Sequence, residues 1–487
     1  MEKEVRDKYE AVIGLEVHAQ MLTKTKAYSA DINEFGSQPN TNISVVTLGH
    51  PGTLPVMNKQ TIENAIKLGI ACNSEIAENQ FFARKNYFYP DLPKGYQITQ
   101  DKTPICTGGF LIVKDDLGNE KKVGITRIHM EEDAGKSIHD VDVFDTLVDL
   151  NRAGVPLLEI VSEPEIRSSQ EAYNYVSEVR KLVRYLEICD GNMEEGSLRC
   201  DANISVRLIG ASEFGTKVEV KNMNSMRNVQ RAIEFEITRQ IEAIEGGVRI
   251  DQETRSFDAL KGITISMRSK EAANDYRYFP EPDLQPLYVS KEQVESIKKT
   301  MPALPRELYL KYTEQLGLSS YDASIIVENK GIALFYEDVL KYSPQPKMIA
   351  NILMGEIKGY LNQRVLDISE FPISAQQIAA FVELINEGKV SYSIASSKIF
   401  PVLLEEPSTH PLEIAERLNV LQESDSNSIS KYIDEVIEKN PNEIKRYLAG
   451  EKQLVGFLMG QLMKISQGKA DPKQANPLLR KKLDELV

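Results

Sequence analysis

The chain has 487 residues, 41% of them hydrophobic and 27% charged, proportions that exclude a disordered, fibrous or membrane-embedded protein. That length exceeds one ordinary core, so two to four domains are expected. The net charge of −14 excludes a generally basic nucleic-acid coat and leaves room for a local basic patch.

Four scattered cysteines, Cys72, Cys106, Cys189 and Cys200, contain no Cys-x-x-Cys pair, so no structural zinc is expected. Met1–Glu10 mixes acids with bases and lacks an apolar stretch, and no apolar run approaches a membrane span. The expectation is a cytoplasmic protein with no membrane partner.

Ala11–Gln20 has strand character, with Val12, Ile13, Leu15 and Val17 supplying β propensity. Glu16 and His18 stand two apart and share a face, a spacing that suits a hard metal ion or proton transfer. A Gly/Pro/Asn-rich loop, Asn33–Thr53, precedes a helix expected from about Lys59 to Cys72. Phe81–Gln100 reads as a loop in which Tyr87, Phe88, Tyr89 and Tyr96 interleave with Arg84, Lys85, Asn86 and Lys94. Aromatic faces beside cations suit a nucleotide base and phosphate; a proline-stiffened loop packed on the core is the alternative.

Thr126–Ser137, TRIHMEEDAGKS, is the densest polar stretch. As a strand it turns Arg127, His129, Glu131 and Asp133 one way and Ile128, Met130 and Glu132 the other. The first set is costly to bury unpaired, so the strand is either a solvated edge or one wall of a site. Its end imitates a phosphate-binding P-loop, but three carboxylates, Glu131, Glu132 and Asp133, fill the positions where backbone amides would cradle phosphate. It is not a P-loop.

Thr146–Pro164 is apolar apart from a turn at Asn151–Gly154, and a helix is expected from Ser168 or Ser169 to Leu186, with Ala172, Val176, Val179, Val183 and Leu186 as its buried stripe. Met193–Val206 is extended, with Arg199, Asp201 and Asn203 on one face. Phe214–Asn222 adds Lys217, Glu219 and Lys221 opposite Val218 and Val220. A long helix follows from Ser225 to Glu245, ended by Gly246-Gly247; further strands are expected at Ile263–Met267 and Tyr276–Phe279. From about Ser290 helical periods take over, including Ile373–Gly388, Ser391–Leu404, Pro411–Leu421, Ser428–Lys439, Pro441–Ala449, Leu454–Ser466 and Asp471–Leu486. The span 441–487 holds nine bases against five acids, which suits contact with a phosphate backbone or, alternatively, a solvated lysine-rich face.

If the polar strands are neighbours, their carboxylates and imidazole can converge on Mg²⁺ while the interspersed Arg and Lys neutralise phosphate or carboxylate oxygens. That is equipment for phosphoryl transfer to a carboxylate.

The chain resembles the B-subunit (GatB) family of aspartyl/glutamyl-tRNA(Asn/Gln) amidotransferases along essentially its whole length. The resemblance rests on VIGLEVH from Val12, RKNYFYPDLPKGYQI from Arg84, GITRIHMEEDAGKS from Gly124, VDLNRAGVPLLEI from Val148, MEEGSLRCDANIS from Met193 and DYRYFPEPD from Asp275. It implies an α+β fold: a mixed, largely antiparallel cradle similar to the glutamine synthetase fold (1–293), an all-α helical domain (294–408) and a basic α-helical tail (409–487). It also implies a reaction in which ATP phosphorylates the side-chain carboxylate of Glu-tRNA(Gln) or Asp-tRNA(Asn) and ammonia then displaces phosphate. By the family's pattern Glu16, His18, Glu131, Asp201 and Glu219 are the catalytic, Mg²⁺-holding positions. Arg84, Asn86, Tyr87, Tyr96, Arg127, Arg199 and Lys217 are expected to meet ATP or the aminoacyl end, and Lys464, Lys469, Arg480, Lys481 and Lys482 the tRNA. The implied partners are a glutaminase A subunit that supplies ammonia, a small C subunit and the mischarged tRNA. The rival expectation is a non-catalytic tRNA-binding scaffold in the same kind of complex.

Overall fold

The structure is a computed structural model describing residues 3–139, 141–269, 276–422, 426–466 and 468–486. Asp275, which begins one of the motifs above, lies outside the described residues. The elements that build the first compact unit are β1 (Tyr9–Gln20), α1 (Lys59–Ala71), β2 (Ala83–Asn86), β3 (Tyr96–Thr99), β4 (Glu120–Glu132), β5 (Pro156–Ser162), α2 (Ser169–Tyr185), β6 (Leu198–Leu208), β7 (Val218–Lys221), α3 (Met226–Glu245), β8 (Glu253–Asp258), β9 (Ile263–Ser269) and β10 (Phe279–Pro280).

The strands form one sheet in the order β9-β8-β7-β6-β1-β5-β4-β3-β2-β10, with three short strands attached beside β4. Every pair along that path is antiparallel except β7 with β8, so the sheet is mixed, as expected. Strand β1 lies at the centre because one of its faces is wholly apolar: Ala11, Ile13, Leu15, Val17 and Ala19 are fully buried. Each large member of such a row contributes roughly 1.5–3 kcal/mol by leaving water. The opposite face carries Gly14, Glu16, His18 and Gln20, all partly accessible. The strands beside it repeat this division, with Leu158 and Ile160 of β5 and Cys200, Ala202 and Ile204 of β6 buried.

The apolar face is covered by helices. Ser168 caps α2 by accepting from the Glu171 amide, and Ala172, Val176, Val179 and Val183 form its buried stripe. Ser225 caps α3 in the same way through Asn228; Val229, Ala232, Ile233, Ile237 and Ile241 face inward, and Gly247 at φ +73° closes the helix. The left-handed backbone there is one that glycine adopts without a Cβ penalty. With helices on one face, the charged face is left to form a cavity.

Four expectations are adjusted. Phe81–Gln100 contains an antiparallel hairpin, β2 with β3, in register Lys85 with Gln97. The extended run at Phe214–Asn222 is a strand at Val218–Lys221, and the strand expected at Tyr276–Phe279 is Phe279–Pro280. Ser391–Leu404 is divided into Tyr392–Ile394, a wider π turn at Ala395–Ile399 and Phe400–Glu405, because Pro401 lacks the amide an uninterrupted helix would use.

The first compact unit ends at Leu304 and the second begins at Pro305. Helix Lys291–Thr300 belongs with the sheet, since Val294, Ile297, Met301 and Leu304 pack against its core. The second unit is helical among its described residues. Within it Ser426–Lys439, Pro441–Leu448, Leu454–Ile465 and Pro472–Asp484 share a core that includes Ile433, Val436, Leu458, Leu462, Leu479 and Leu483. No helix among the described residues is long and apolar enough to cross a membrane.

Candidate active site

Strand register decides which polar side chains meet. Glu16 stands opposite Asp201, His18 opposite Arg199 on one side and Glu159 on the other, Glu159 opposite His129, and Asn203 opposite Glu219. Residues directly opposed in an antiparallel pair share a face, with Cβ atoms about 4.5–5.5 Å apart. The result is a cavity of about 790 Å³ lined by all of these except Asn203, together with Lys85, Tyr87, Arg127, Glu131, Asp133, Lys221, Thr254, Tyr276 and Tyr278. A volume of that size accommodates a nucleotide or an aminoacyl adenosine end.

Two trios stand out in it. His18, Glu131 and Glu159 form one; Glu16, Asp201 and Glu219 form the other; in each, one ligating atom per residue lies within 4.8 Å of the rest. Nitrogen and carboxylate oxygen in threes, with the cavity open beside them, are a donor set that fits a hard divalent cation. His18 Nε2 lies 3.4 Å from Glu159 and 3.8 Å from Glu131, and His129 Nε2 lies 3.1 Å from Glu159 and 3.8 Å from Glu131. Burial opposes the charged form of both imidazoles, but hydrogen bonds and the charges of Glu159 and Glu131 outweigh it, raising His18 and lifting His129 to about 9. The same contacts hold the Glu159 carboxyl well below its ordinary range against the opposing effect of burial. In the second trio, burial first and the neighbouring Glu159 charge next raise Glu16. Asn203 Nδ2 donates to Glu16 at 2.9 Å and Thr254 Oγ1 to Glu219 at 2.7 Å.

Asp133 shares the cavity wall yet belongs to neither trio. It accepts from Gln20 at 2.9 Å and Arg199 at 3.0 Å, with Arg152 at 3.6 Å. Burial alone would raise its carboxyl, but the two guanidinium charges bring it below the ordinary value.

Of the residues expected from sequence, Glu16, His18, Tyr87, Arg127, Glu131, Arg199, Asp201 and Glu219 all line this cavity. Arg84 and Tyr96 line a smaller one of about 210 Å³ with Tyr28, Lys94 and Glu132. There Arg84 grips Glu281 at 2.7 and 2.9 Å and Asp283 at 2.8 Å, and lies 4.1 Å over the Tyr96 ring. Glu132, which strand alternation turns away from Glu131, is buried there and pairs with Lys94. Asn86 lines neither cavity: it binds the Tyr276 and Arg277 carbonyls and so anchors the segment that carries Tyr276 and Tyr278 into the site. Lys217 is exposed just before β7, and Lys221, further along the same face, lines the cavity instead. In the tail Lys464, Arg480 and Lys481 are exposed and Lys469 is half-buried, whereas Lys482 pairs with Asp434 across two helices.

Sequence reasoning missed Glu159, Lys221, Thr254, Tyr276 and Tyr278 as site residues, and named Lys85 only as one cation of the aromatic loop. Glu159 left a trace, a lone carboxylate in the apolar run Leu157–Val161. Lys85 follows from alternation once β2 is known to be a strand, because Lys85 and Tyr87 then face away from Arg84 and Asn86.

Comparison with known proteins bears on this geometry. The profile of the GatB/GatE catalytic domain matches residues 11–295, and that of a GatB domain matches 334–483. A protein of Thermodesulfovibrio yellowstonii is 49% identical over 477 residues, covering 98% of this chain and all of its own. One of Halorhodospira halophila is 48% identical over 478 residues, covering 98% and 99%, and one of Chlorobium limicola 48% over 478, covering 98% and 100%. All three relatives bear the name of the B subunit of an aspartyl/glutamyl-tRNA(Asn/Gln) amidotransferase.

Proposed function

This chain belongs to the GatB family, and we propose on that premise that it carries the activating half of a tRNA-dependent amidotransferase. In this reading the side-chain carboxylate of Glu-tRNA(Gln) or Asp-tRNA(Asn) attacks the γ-phosphorus of ATP, ADP leaves, and ammonia then displaces phosphate to form the amide. A glutaminase A subunit supplies the ammonia, a small C subunit completes the complex, and the basic tail holds the tRNA. The observation that carries the reading is the pair of trios on neighbouring strands of one cavity.

The residues present fit Mg²⁺, which His18, Glu131 and Glu159, and Glu16, Asp201 and Glu219, would hold. Bound there, it would offset phosphate charge and make phosphate a better leaving group. The chain's own groups do the rest. Arg127, Arg199 and Lys85 offer cations to the oxygens of ATP and of the substrate carboxylate. Tyr87, Tyr276 and Tyr278 supply aromatic edges and faces for the adenosine end or a base, and wall off water. Asp133 locks Arg199 in place, and His129 holds Glu159 and Glu131 by ion-pair contact at 3.1 and 3.8 Å. Positioning and electrostatics of this kind carry most of the catalysis in phosphoryl transfer.

The test is substitution of Glu131→Ala or Asp201→Ala in the reconstituted complex, with glutamine- and ammonia-dependent amidation followed by thin-layer analysis of the amino acid released from the tRNA. Loss of amidation with both nitrogen sources, while tRNA affinity and glutaminase activity persist, is the expected result. Amidation at the normal rate would instead make the chain a scaffold and move the ATP chemistry to a partner.

A further inference from the structure

The cations that line the large cavity differ in how their charge is met. Lys85 and Arg127 make no ion pair with any described residue, so each brings a whole positive charge to the wall. Arg199 is held. Its Nη2 donates to Asp133 Oδ2 at 3.0 Å, while its Nε and Nη1 have no hydrogen bond among the described residues. One end of the guanidinium is thus fixed, and the side chain, 33% exposed, keeps its remaining donors for the cavity it lines.

Asp133 is itself secured from behind. It is buried, and it accepts from Gln20 at 2.9 Å and from the Ala134 amide at 3.0 Å. Arg152 stands outside the cavity lining. Its Nε lies 3.6 Å from Asp133 Oδ2 and donates to the Ala134 carbonyl at 2.9 Å, and its Nη2 donates to the Gly135 carbonyl at 2.6 Å. One guanidinium therefore joins the backbone that follows β4 to the carboxylate that holds Arg199. That backbone is clamped from the other side too, since a Cβ at Gly135 would lie 2.9 Å from the Asp91 and Asp149 carbonyl oxygens.

A triphosphate is drawn most strongly to uncompensated cations such as Lys85 and Arg127. A guanidinium whose charge a neighbouring carboxylate already balances contributes direction more than field. Direction is what a carboxylate uses, because its two oxygens match two coplanar N–H groups. We propose that Arg199 receives the side-chain carboxylate of the aminoacyl ester, and that Arg152 is the positioning residue that aims it through Asp133. This rests on the amidotransferase reading above and assigns the acid substrate, apart from ATP, to one fixed guanidinium. The amide product is uncharged and loses the charge-assisted pair, so it leaves more readily.

The test is filter binding of Glu-tRNA(Gln) and Gln-tRNA(Gln) to the reconstituted complex without ATP, with ATP affinity measured beside it. The two tRNAs differ only in the side-chain carboxylate or amide, so contacts to the tRNA body cancel in the ratio. The wild type should prefer the acid form about tenfold or more. Arg199→Gln should abolish that preference and Arg152→Gln most of it, with ATP affinity close to that of the wild type. A preference that survives Arg199→Gln refutes the receptor role. One lost there but kept in Arg152→Gln refutes the positioning role. If Arg152→Gln loses ATP affinity in step with the preference, Arg152 supports the fold at large and the positioning role is likewise refuted. Normal amidation by Glu131→Ala and Asp201→Ala would sink the amidotransferase-site reading first and this assignment with it; if those variants are inactive, a persistent preference in Arg199→Gln counts against Arg199 alone.

Discussion

Replacing Glu159 with glutamine preserves its shape and removes its charge, and Glu159 is where β1, β5 and β4 exchange polar contacts. The carboxylate touches His129 at 3.1 Å and His18 at 3.4 Å. Lifting His129 from 6.5 to about 9 corresponds to about 3 kcal/mol of preference for the folded, protonated state. Glu131 shares that effect, so losing the Glu159 charge should cost ~1–2 kcal/mol at acidic to neutral pH. The sign follows from a raised folded-state value. The stabilisation is fully present below the unfolded pKa of about 6.5 and disappears as pH rises through about 9. Urea unfolding of wild type and Glu159→Gln, with EDTA to exclude adventitious metal, should therefore differ at about pH 6 and converge near pH 10. In the assembled complex the same substitution should raise the Mg²⁺ concentration that amidation requires by at least about 10–100-fold, the range seen when groups that support a metal site are removed. Equal destabilisation at both pH values, together with an unchanged Mg²⁺ requirement, would refute the reasoning.

Lys26 gives a pH dependence of opposite sign. It is fully buried with its ammonium on the Asn42 carbonyl at 2.7 Å, and burial brings it down to about 8. Between about pH 8 and 10.5 the unfolded chain binds the extra proton, so wild-type stability should climb by up to about 3 kcal/mol relative to Lys26→Met. Parallel thermal-unfolding profiles would contradict this. A Cβ at Gly215 would lie 2.2 Å from the Val206 carbonyl oxygen, so Gly215→Ala should destabilise the sheet unit by about 1–3 kcal/mol, readable as a lower urea midpoint. In the tail, replacing exposed Lys464, Arg480 and Lys481 with alanine should weaken tRNA binding and flatten its salt dependence by about 0.7–0.9 in slope for each phosphate no longer neutralised. Lys482→Ala, which removes the Asp434 pair, should act more on tail stability, and a filter-binding series against salt separates the two.

Local pattern was enough to read the strand faces and the helices that cover their backs. In β1, Glu16 and His18 alternate with Val17, and in β6 Arg199 and Asp201 alternate with Cys200; a two-residue period assigns faces without knowing the neighbours. The capped helices Ser169–Tyr185 and Met226–Glu245 were legible for the same reason, since caps and stripes are local. The hairpin within 81–100 was not, because its two strands are four residues each and lie on either side of Pro90 and Pro93. That obscured the division between Lys85, which faces the large cavity, and Arg84, which is held by Glu281 and Asp283.

The sequence by itself therefore determined which side chains are polar, which face of each strand they occupy, and that a charged face repeats along the chain. Tertiary structure decided which faces meet. Strand β5, almost wholly apolar in sequence, is inserted between β1 and β4, and that placement alone puts Glu159 between two imidazoles contributed by residues 18 and 129. Likewise the extent of β7, not its alternation, selects Lys221 over Lys217 for the cavity. Alternation is a property of neighbouring residues, whereas strand order and register are settled by burial of the whole apolar face.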